Sequence, residues 1–377
     1  MRPGAAQGES NWAPGAKSGL SFEGPTGTLK LPEDPVPPNR WNRPGISREN
    51  LANPPSNLEQ QSAHTLVTTA ASVLIGFLLN IVLSRSLGPA GKGVLDLTSA
   101  TAGLLVLVLG LSLNASLTQR IASRGGAPSG LTAQLALWGA AAGLLSAALL
   151  FGLPGFCTQI GLLPARDLPF WSLFISGSVA AGVFATGLRG VLVGQHDLIT
   201  ANRIDLGLKA ALLAAYLVLA FALPPNARYF ALAGLGAAVA LPGAILPALR
   251  AGTGYEPGLW RGLVGVTLPI HGTNIIHFIN QRADIFFVQA FHGTVEVALY
   301  ALAVSLAQCL LFLSSALAQP LLPRIAAAAS PDEAAAHTAG ACRLFILLGV
   351  GAILPLALGG VWLVPLVFGR DFSGSLT

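Results

Sequence analysis

The sequence predicts an all-α fold, a polytopic membrane helix bundle built as two related lobes with the second lobe incomplete. Three observations carry this. Of 377 residues, 53% are hydrophobic and only 10% charged, at a mean hydropathy of +0.66, far from soluble usage. Apolar runs long enough to cross a bilayer recur from His64 to the C-terminus, each near the roughly 20 residues that a hydrocarbon core about 30 Å thick requires. Finally, Leu83–Ala122 overlays Phe287–Ala326 without a gap at an offset of 204, and both stretches close on Arg-Ile-Ala. Identity is only 8 in 40, mostly Leu on Leu, so the weight falls on shared punctuation: an apolar helix, a short Gly-containing turn, a second apolar helix, then Arg120 or Arg324. A long-period repeat of helices is how transporters with two parallel halves are built.

Taken in order, the first 63 residues differ in kind. They hold ten of the 26 prolines, seven glycines, six basic and six acidic residues, and no apolar run. Such a segment cannot bury enough surface to order itself and is expected to be a disordered cytoplasmic tail. It also lacks the apolar stretch of a signal peptide, so the first spanning helix is its own insertion signal. Nine spans follow, at 65–87, 95–117, 131–152, 168–193, 203–223, 229–249, 264–290, 297–320 and 339–366. They divide into a six-helix lobe over 64–250 and a partial lobe over 251–377.

Basic residues in short loops set the orientation. With the N-terminus inside, cytoplasmic loops carry Arg120, Arg124, Arg189, Arg203, Arg250, Arg261, Arg324 and Arg343, against Arg85, Lys92, Arg166, Arg228 and Arg370 outside. Eight against five, plus six in the tail, favours a cytoplasmic N-terminus. The net charge of +5 is mostly this topogenic signal, and no basic patch interleaved with aromatics points to nucleic acid.

Enzyme signatures are missing. Cys157, Cys309 and Cys342 are scattered in or beside apolar helices, where packing is the default role. There is no Cys-x-x-Cys, His-Glu-x-x-His, Walker loop or Gly-x-Ser-x-Gly, so no metal, cofactor or catalytic residue is expected. Any transport is then driven by an ion gradient or by substrate supply. Gly139-x-x-x-Gly143 and Gly190-x-x-x-Gly194 permit close helix contact.

Polar residues inside the membrane are costly and carry the functional information. In the seventh span, His271, Asn274, His277, Gln281 and Asp284 step by 3, 3, 4 and 3, within about 140° of arc on one helix face. Arg282 sits at the edge of that sector. A face this polar is expected to line a hydrated cavity, and Pro269 just before it removes an N–H and bends the helix. Buried His271 and His277 are more often satisfied hydrogen-bonding residues than proton carriers. Asn274, Asn280 and Gln281 read first as interhelical hydrogen bonds and cavity lining, then as substrate contacts. Arg282 and Asp284 point about 200° apart and must find separate partners. They are the candidates for an anionic substrate group and for a coupling H+ or Na+, respectively.

The fifth span adds Asp205 and Lys209, four apart in the favourable acid-first order, with Asn202 on the same side. A local interfacial pair is the plain reading, and Lys209 is a second candidate anion contact. Arg85, Lys92 and Asp96 flank a Gly-Pro turn and read as loop residues at the outer surface.

Several runs resemble Wzx-type polysaccharide flippases. Leu83-Ser-Arg-Ser-Leu-Gly-Pro-Ala-Gly-Lys-Gly-Val-Leu-Asp is similar to the loop after their first helix, and Gly187-Leu-Arg-Gly-Val-Leu-Val-Gly-Gln to their fourth helix and following loop. Asn280-Gln-Arg-Ala-Asp-Ile-Phe-Phe-Val, Leu299-Tyr-Ala-Leu-Ala and Leu366-Val-Phe-Gly-Arg-Asp-Phe resemble the seventh helix, the eighth helix and the loop after the ninth. The resemblance spans about 65 to 377, in the MOP superfamily that also holds MATE exporters and MurJ-type flippases.

It implies a MATE/MurJ-like pair of six-helix lobes around a central cavity in the bacterial cytoplasmic (inner) membrane. There it implies outward movement of a polyprenyl-pyrophosphate-linked oligosaccharide by alternating access, for cell-surface polysaccharide biosynthesis. The family's Arg-x-Asp position falls on Arg282 and Asp284 alone; His271 and His277 have no match. The chain stops at Thr377, just after the loop that should precede a tenth helix, so the resemblance implies a partial sequence. A MATE-like drug/ion antiporter, a MurJ-like lipid II flippase and, as an enzyme, a membrane-embedded glycan polymerase or ligase are the alternatives; the last calls for a long catalytic outer loop, and the outer loops here are short.

Overall fold

The computed structural model describes residues 56–124, 131–195, 197–245, 258–308 and 330–376, and among them every regular element is helical. The expected tail up to residue 55 and the 250/251 lobe boundary fall outside the described residues, as does the second half of the second helix of the later repeat copy. The chain divides into two units at Glu59/Gln60, and apart from the first four residues of the first helix everything below concerns the second.

The first element, α1, runs Ser56–Gly110 and is broken at Gly88 (φ 63°, ψ −177°) into arms of residues 56–87 and 89–110. Glycine takes the left-handed angle without penalty, and Pro89 starts the next arm because its missing N–H would be unpaired there anyway. The turn expected over 88–94 is thus a one-residue break. Residues 89–94 are helical, so Lys92 and Asp96 stand inside a helix rather than in a loop. The second predicted span also divides: Leu111 (φ 48°) and Ser112 (φ 51°) are left-handed non-glycine residues, and α2 begins afresh at Leu113–Arg124.

Then come α3 (Leu131–Gly152), the short α4 (Pro154–Gln159), α5 (Leu168–Gly194), α6 (Leu198–Ala222) and α7 (Ala227–Ile245). The three predicted spans from 131 to 223 lie within a few residues of α3, α5 and α6. After them stand α8 (Gly258–Phe291), α9 (Thr294–Gln308) and α10 (Pro331–Phe368), followed by a 3-10 turn at Arg370–Leu376. Capping follows local chemistry: Asp197 accepts from the Thr200 N–H at 3.1 Å at the start of α6, and Ser330 from the Glu333 N–H at 3.2 Å at the start of α10.

Among the described residues, five helices are long and apolar enough to cross a membrane, and the first contains two span-lengths separated at Gly88. Leu137, Phe221, Trp362 and Leu366 are each at least 70% exposed; in water such faces would drive aggregation, whereas lipid is their proper solvent. The fold is therefore a polytopic membrane helix bundle.

Helix α5 is the hub, packed against α2, α3, α6 and α7. Small residues bring it close. A Cβ added at Gly139 would lie 2.7 Å from the Ala180 carbonyl oxygen, and one at Gly190 would lie 2.6 Å from that of Asn114. Gly143 and Gly194 make equally close approaches to Ala180 and Ile121. Both small-residue patterns thus mark real helix contacts, α3 on α5 and α5 on α2.

Candidate functional site

A cavity of about 400 Å³ opens between α1, α5, α6, α8 and α9. The first arm of α1 contributes Thr68, Thr69, Ser72, Gly76 and Asn80. Residues 68, 72, 76 and 80 are each four apart, and on a helix that spacing keeps small polar groups on one face. Arg189 enters from α5, and Asn202, Asp205 and Lys209 from α6. Arg282 comes from α8, and Ser305 and Gln308 from α9.

The charges in this lining are unequal. Arg189 reaches across from α5 to Asp205 with Nη2 to Oδ2 at 2.9 Å. The expected local pair between Asp205 and Lys209 is therefore replaced by an interhelical one. A guanidinium fork on a facing helix meets a carboxylate with better geometry than a flexible lysine one turn away, whose i,i+4 pairing is worth only about 0.3–0.5 kcal/mol. Lys209 is left exposed to the cavity, and Arg282 is half-buried. Among the described residues neither makes an ion pair or a side-chain hydrogen bond. Three cations thus face one carboxylate.

The polar stripe of α8 does not line this cavity as one surface. Asn274 Nδ2 donates to Ser112 Oγ at 3.0 Å, and that oxygen also meets buried His271 Nδ1 at 3.2 Å. The left-handed break between α1 and α2 is thereby tied to α8. His277 is exposed and Gln281 half-buried, and neither belongs to the lining. Asp284 accepts from Tyr300 Oη on α9 and from the Ile285 N–H at 2.9 Å. Thirteen residues of helix rise about 20 Å, so a stripe of that length passes several neighbours. Of the expected substrate contacts, the structure brings together Arg282 and Lys209, while Asn274, His277 and Gln281 lie elsewhere on α8, as does Asp284, the expected coupling residue. Asp284 thus holds partners of its own, Tyr300 and the Ile285 N–H, while Arg282, two positions away on the helix, lines the cavity.

Sequence reasoning missed a second charged group. Lys92, placed above in an outer loop, is fully buried and bonded to Asp96 one turn on. Arg282 lies within electrostatic range of the same carboxylate. This part of α1 is pressed against the start of α9, where a Cβ at Gly93 would sit 1.8 Å from the Thr294 carbonyl oxygen. The signal was the i,i+4 spacing of Lys92 and Asp96 within an otherwise small and apolar run, overridden by the neighbouring Gly-Pro. The hydroxyl face of α1 was legible in the same way, while Arg189 and Tyr300 carry no local signal.

No group of three His, Cys, Asp or Glu residues among the described residues is arranged to hold a metal. An all-helical bundle with several span-length apolar helices and a cationic cavity among them defines a multi-pass membrane protein. The family can be stated as well: residues 59–328 match the profile of the family described as polysaccharide biosynthesis protein. That is more than half of the chain, which belongs to this family, the one that holds Wzx-type flippases of the MOP superfamily. No curated protein and no solved structure matches the chain.

Proposed function

We propose that the protein moves a polyprenyl-pyrophosphate-linked oligosaccharide outward across the bacterial cytoplasmic membrane by alternating access, as a transporter rather than an enzyme. The observation that carries this reading is the pair of cations, Arg282 and Lys209, that make no ion pair or side-chain hydrogen bond among the described residues, in a cavity that also holds the Arg189–Asp205 pair, a set of hydroxyls and amides, and the apolar Val73 and Phe77. A pyrophosphate diester carries two negative charges, and guanidinium and ammonium groups inside a membrane bind such an anion far better than in water. Thr68, Ser72, Asn80 and Gln308 offer the neutral donors and acceptors that sugar hydroxyls require. The lipid chain, being apolar, stays in the bilayer.

Asp284 is the candidate coupling site for H+ or Na+. Its carboxylate is held by Tyr300 and by a backbone N–H, with no cationic partner among the described residues, and a carboxylate so placed gains by taking up a cation. Residues 64–250 and 251–377 would form the lobes that rock around the cavity, with the N-terminus cytoplasmic.

The test is complementation of a flippase deletion strain. Arg282→Ala should abolish surface polysaccharide while the protein's membrane level stays at that of the parent; full complementation would overturn the reading.

A further inference from the structure

A second cavity, of about 490 Å³, lies farther along α1 and α6 from the charged one. Its walls are apolar, with Ile81 and Val82 from α1, Leu217 and Phe221 from α6, and Phe230 from α7. Arg85 and Ser86 are the polar members of its lining. Phe221 is 89% exposed and Leu217 40%, so the groove opens sideways to whatever surrounds the bundle, which for helices this apolar is lipid. It also sits where three elements end: the first arm of α1 at Gly88, α6 at Ala222 and α7 at its Ala227 start. Ends of span-length helices lie at the level of lipid headgroups.

Arg85 has donors to spare. Its Nε gives a hydrogen bond to the Val367 carbonyl at 2.8 Å, and Nη2 gives one to the Leu366 carbonyl. Those are carbonyls of the last turn of α10, which have no partner within their own helix. A guanidinium has five N–H donors, so three remain on an exposed side chain beside an apolar groove.

We propose that this groove holds one membrane phospholipid, its acyl chain along Val82, Leu217 and Phe221 and its phosphate on the free donors of Arg85. The apolar walls accept an acyl chain as readily as the bilayer does, and the charge-assisted bond from Arg85 to the phosphate, at headgroup level, supplies the preference for this place. Through the carbonyls of Leu366 and Val367, the same arginine connects the lipid to the end of α10. This site is independent of what the charged cavity transports.

The test uses the full chain in phosphatidylglycerol vesicles, with p-benzoylphenylalanine in place of Phe221 and, as control, in place of Val239, a lipid-facing residue of α7 outside the groove. Illumination should attach phosphatidylglycerol at position 221. Diacylglycerol with the same chains should compete about tenfold less well, the worth of one charge-assisted hydrogen bond. Arg85→Gln should lower labelling at 221 about tenfold and leave 239 unchanged, while Arg85→Lys retains most of it. If Arg85→Gln unfolds the chain, Leu217→Trp, which fills the groove and leaves Arg85 in place, should give the same loss. Labelling at 221 and 239 that responds equally to every variant, or diacylglycerol competing as well as phosphatidylglycerol, would overturn the site and leave Arg85 as a cap for α10 alone. Preferential labelling by added polyprenyl pyrophosphate over phosphatidylglycerol would also overturn it, assigning the groove to the transported lipid.

Discussion

In the cavity, Arg282 and Lys209 make no ion pair or side-chain hydrogen bond among the described residues, Arg282 reaching Asp96 only at electrostatic range, whereas on the second arm of α1 Lys92 is closed off entirely and bonded to Asp96. Both arrangements place cations among apolar helices, yet they answer different physical demands. A buried ion pair repays desolvation only through its partner, so removing one member strands the other. A cation facing a hydrated cavity keeps part of its hydration and holds its charge ready for a ligand. Helix α8 shows the same division along its length: His271, Asn274 and Asp284 are hydrogen-bonded to other elements, while Arg282 is not. On this helix the hydrogen-bonded groups hold it to its neighbours, and Arg282 faces the cavity.

The sharpest way to break this comparison is Lys92→Ala. It should cost about 3–5 kcal/mol by leaving the Asp96 carboxylate without its ion-pair partner and should deplete folded protein from the membrane, read by detergent-solubilised yield and melting. Replacing both residues by apolar ones, Lys92→Met with Asp96→Leu, should restore most of that stability; if the double variant is as unstable as the single one, the pair is not a simple buried bridge.

Next comes Arg282→Ala, for which melting should be unchanged and transport should fall roughly a hundredfold, equivalent to about 2.7 kcal/mol. A loss of stability matching that of Lys92→Ala would place Arg282 in the frame instead of the site. Lys209→Ala should behave in the same direction at about tenfold, with most of the loss recovered by Lys209→Arg.

Smaller still is Ser112→Ala. It removes the oxygen that Asn274 and His271 share and should cost about 1–2 kcal/mol of stability, with little change in substrate affinity; a change in affinity alone would move Ser112 to the cavity side of the comparison. Asp284→Asn should leave melting within about 1 kcal/mol of the parent and make transport insensitive to collapse of the ion gradient. Unaltered gradient dependence would remove Asp284 from coupling.

Much of the fold was legible because membrane helices obey a one-dimensional rule. Backbone polar groups must be paired within the helix, and about 20 apolar residues are needed to cross, so spans such as 131–152 and 168–193 stand out from composition and length alone. Breaks were harder. Gly88-Pro89 has the chemistry of a loop and makes a kink, while Leu111-Ser112 carries no turn signal and breaks the chain nonetheless. Whether a turn consumes one residue or seven depends on what packs around it, here Gly93 against Thr294.

The candidate site divides along the same line. That α8 holds the membrane's costliest residues, and that Arg282 and Asp284 face apart, followed from residue type and helical angle without any neighbour. Which of them meets open space did not. Arg189 rather than Lys209 takes Asp205, Ser112 takes Asn274, Tyr300 takes Asp284, and Lys92 is buried instead of exposed. Local periodicity determines a side chain's direction about its own helix axis, and residue type determines what leaving it unpaired costs. The partner itself comes from another helix far along the chain, and only the packing of one against the other decides which charges are neutralised and which stay free.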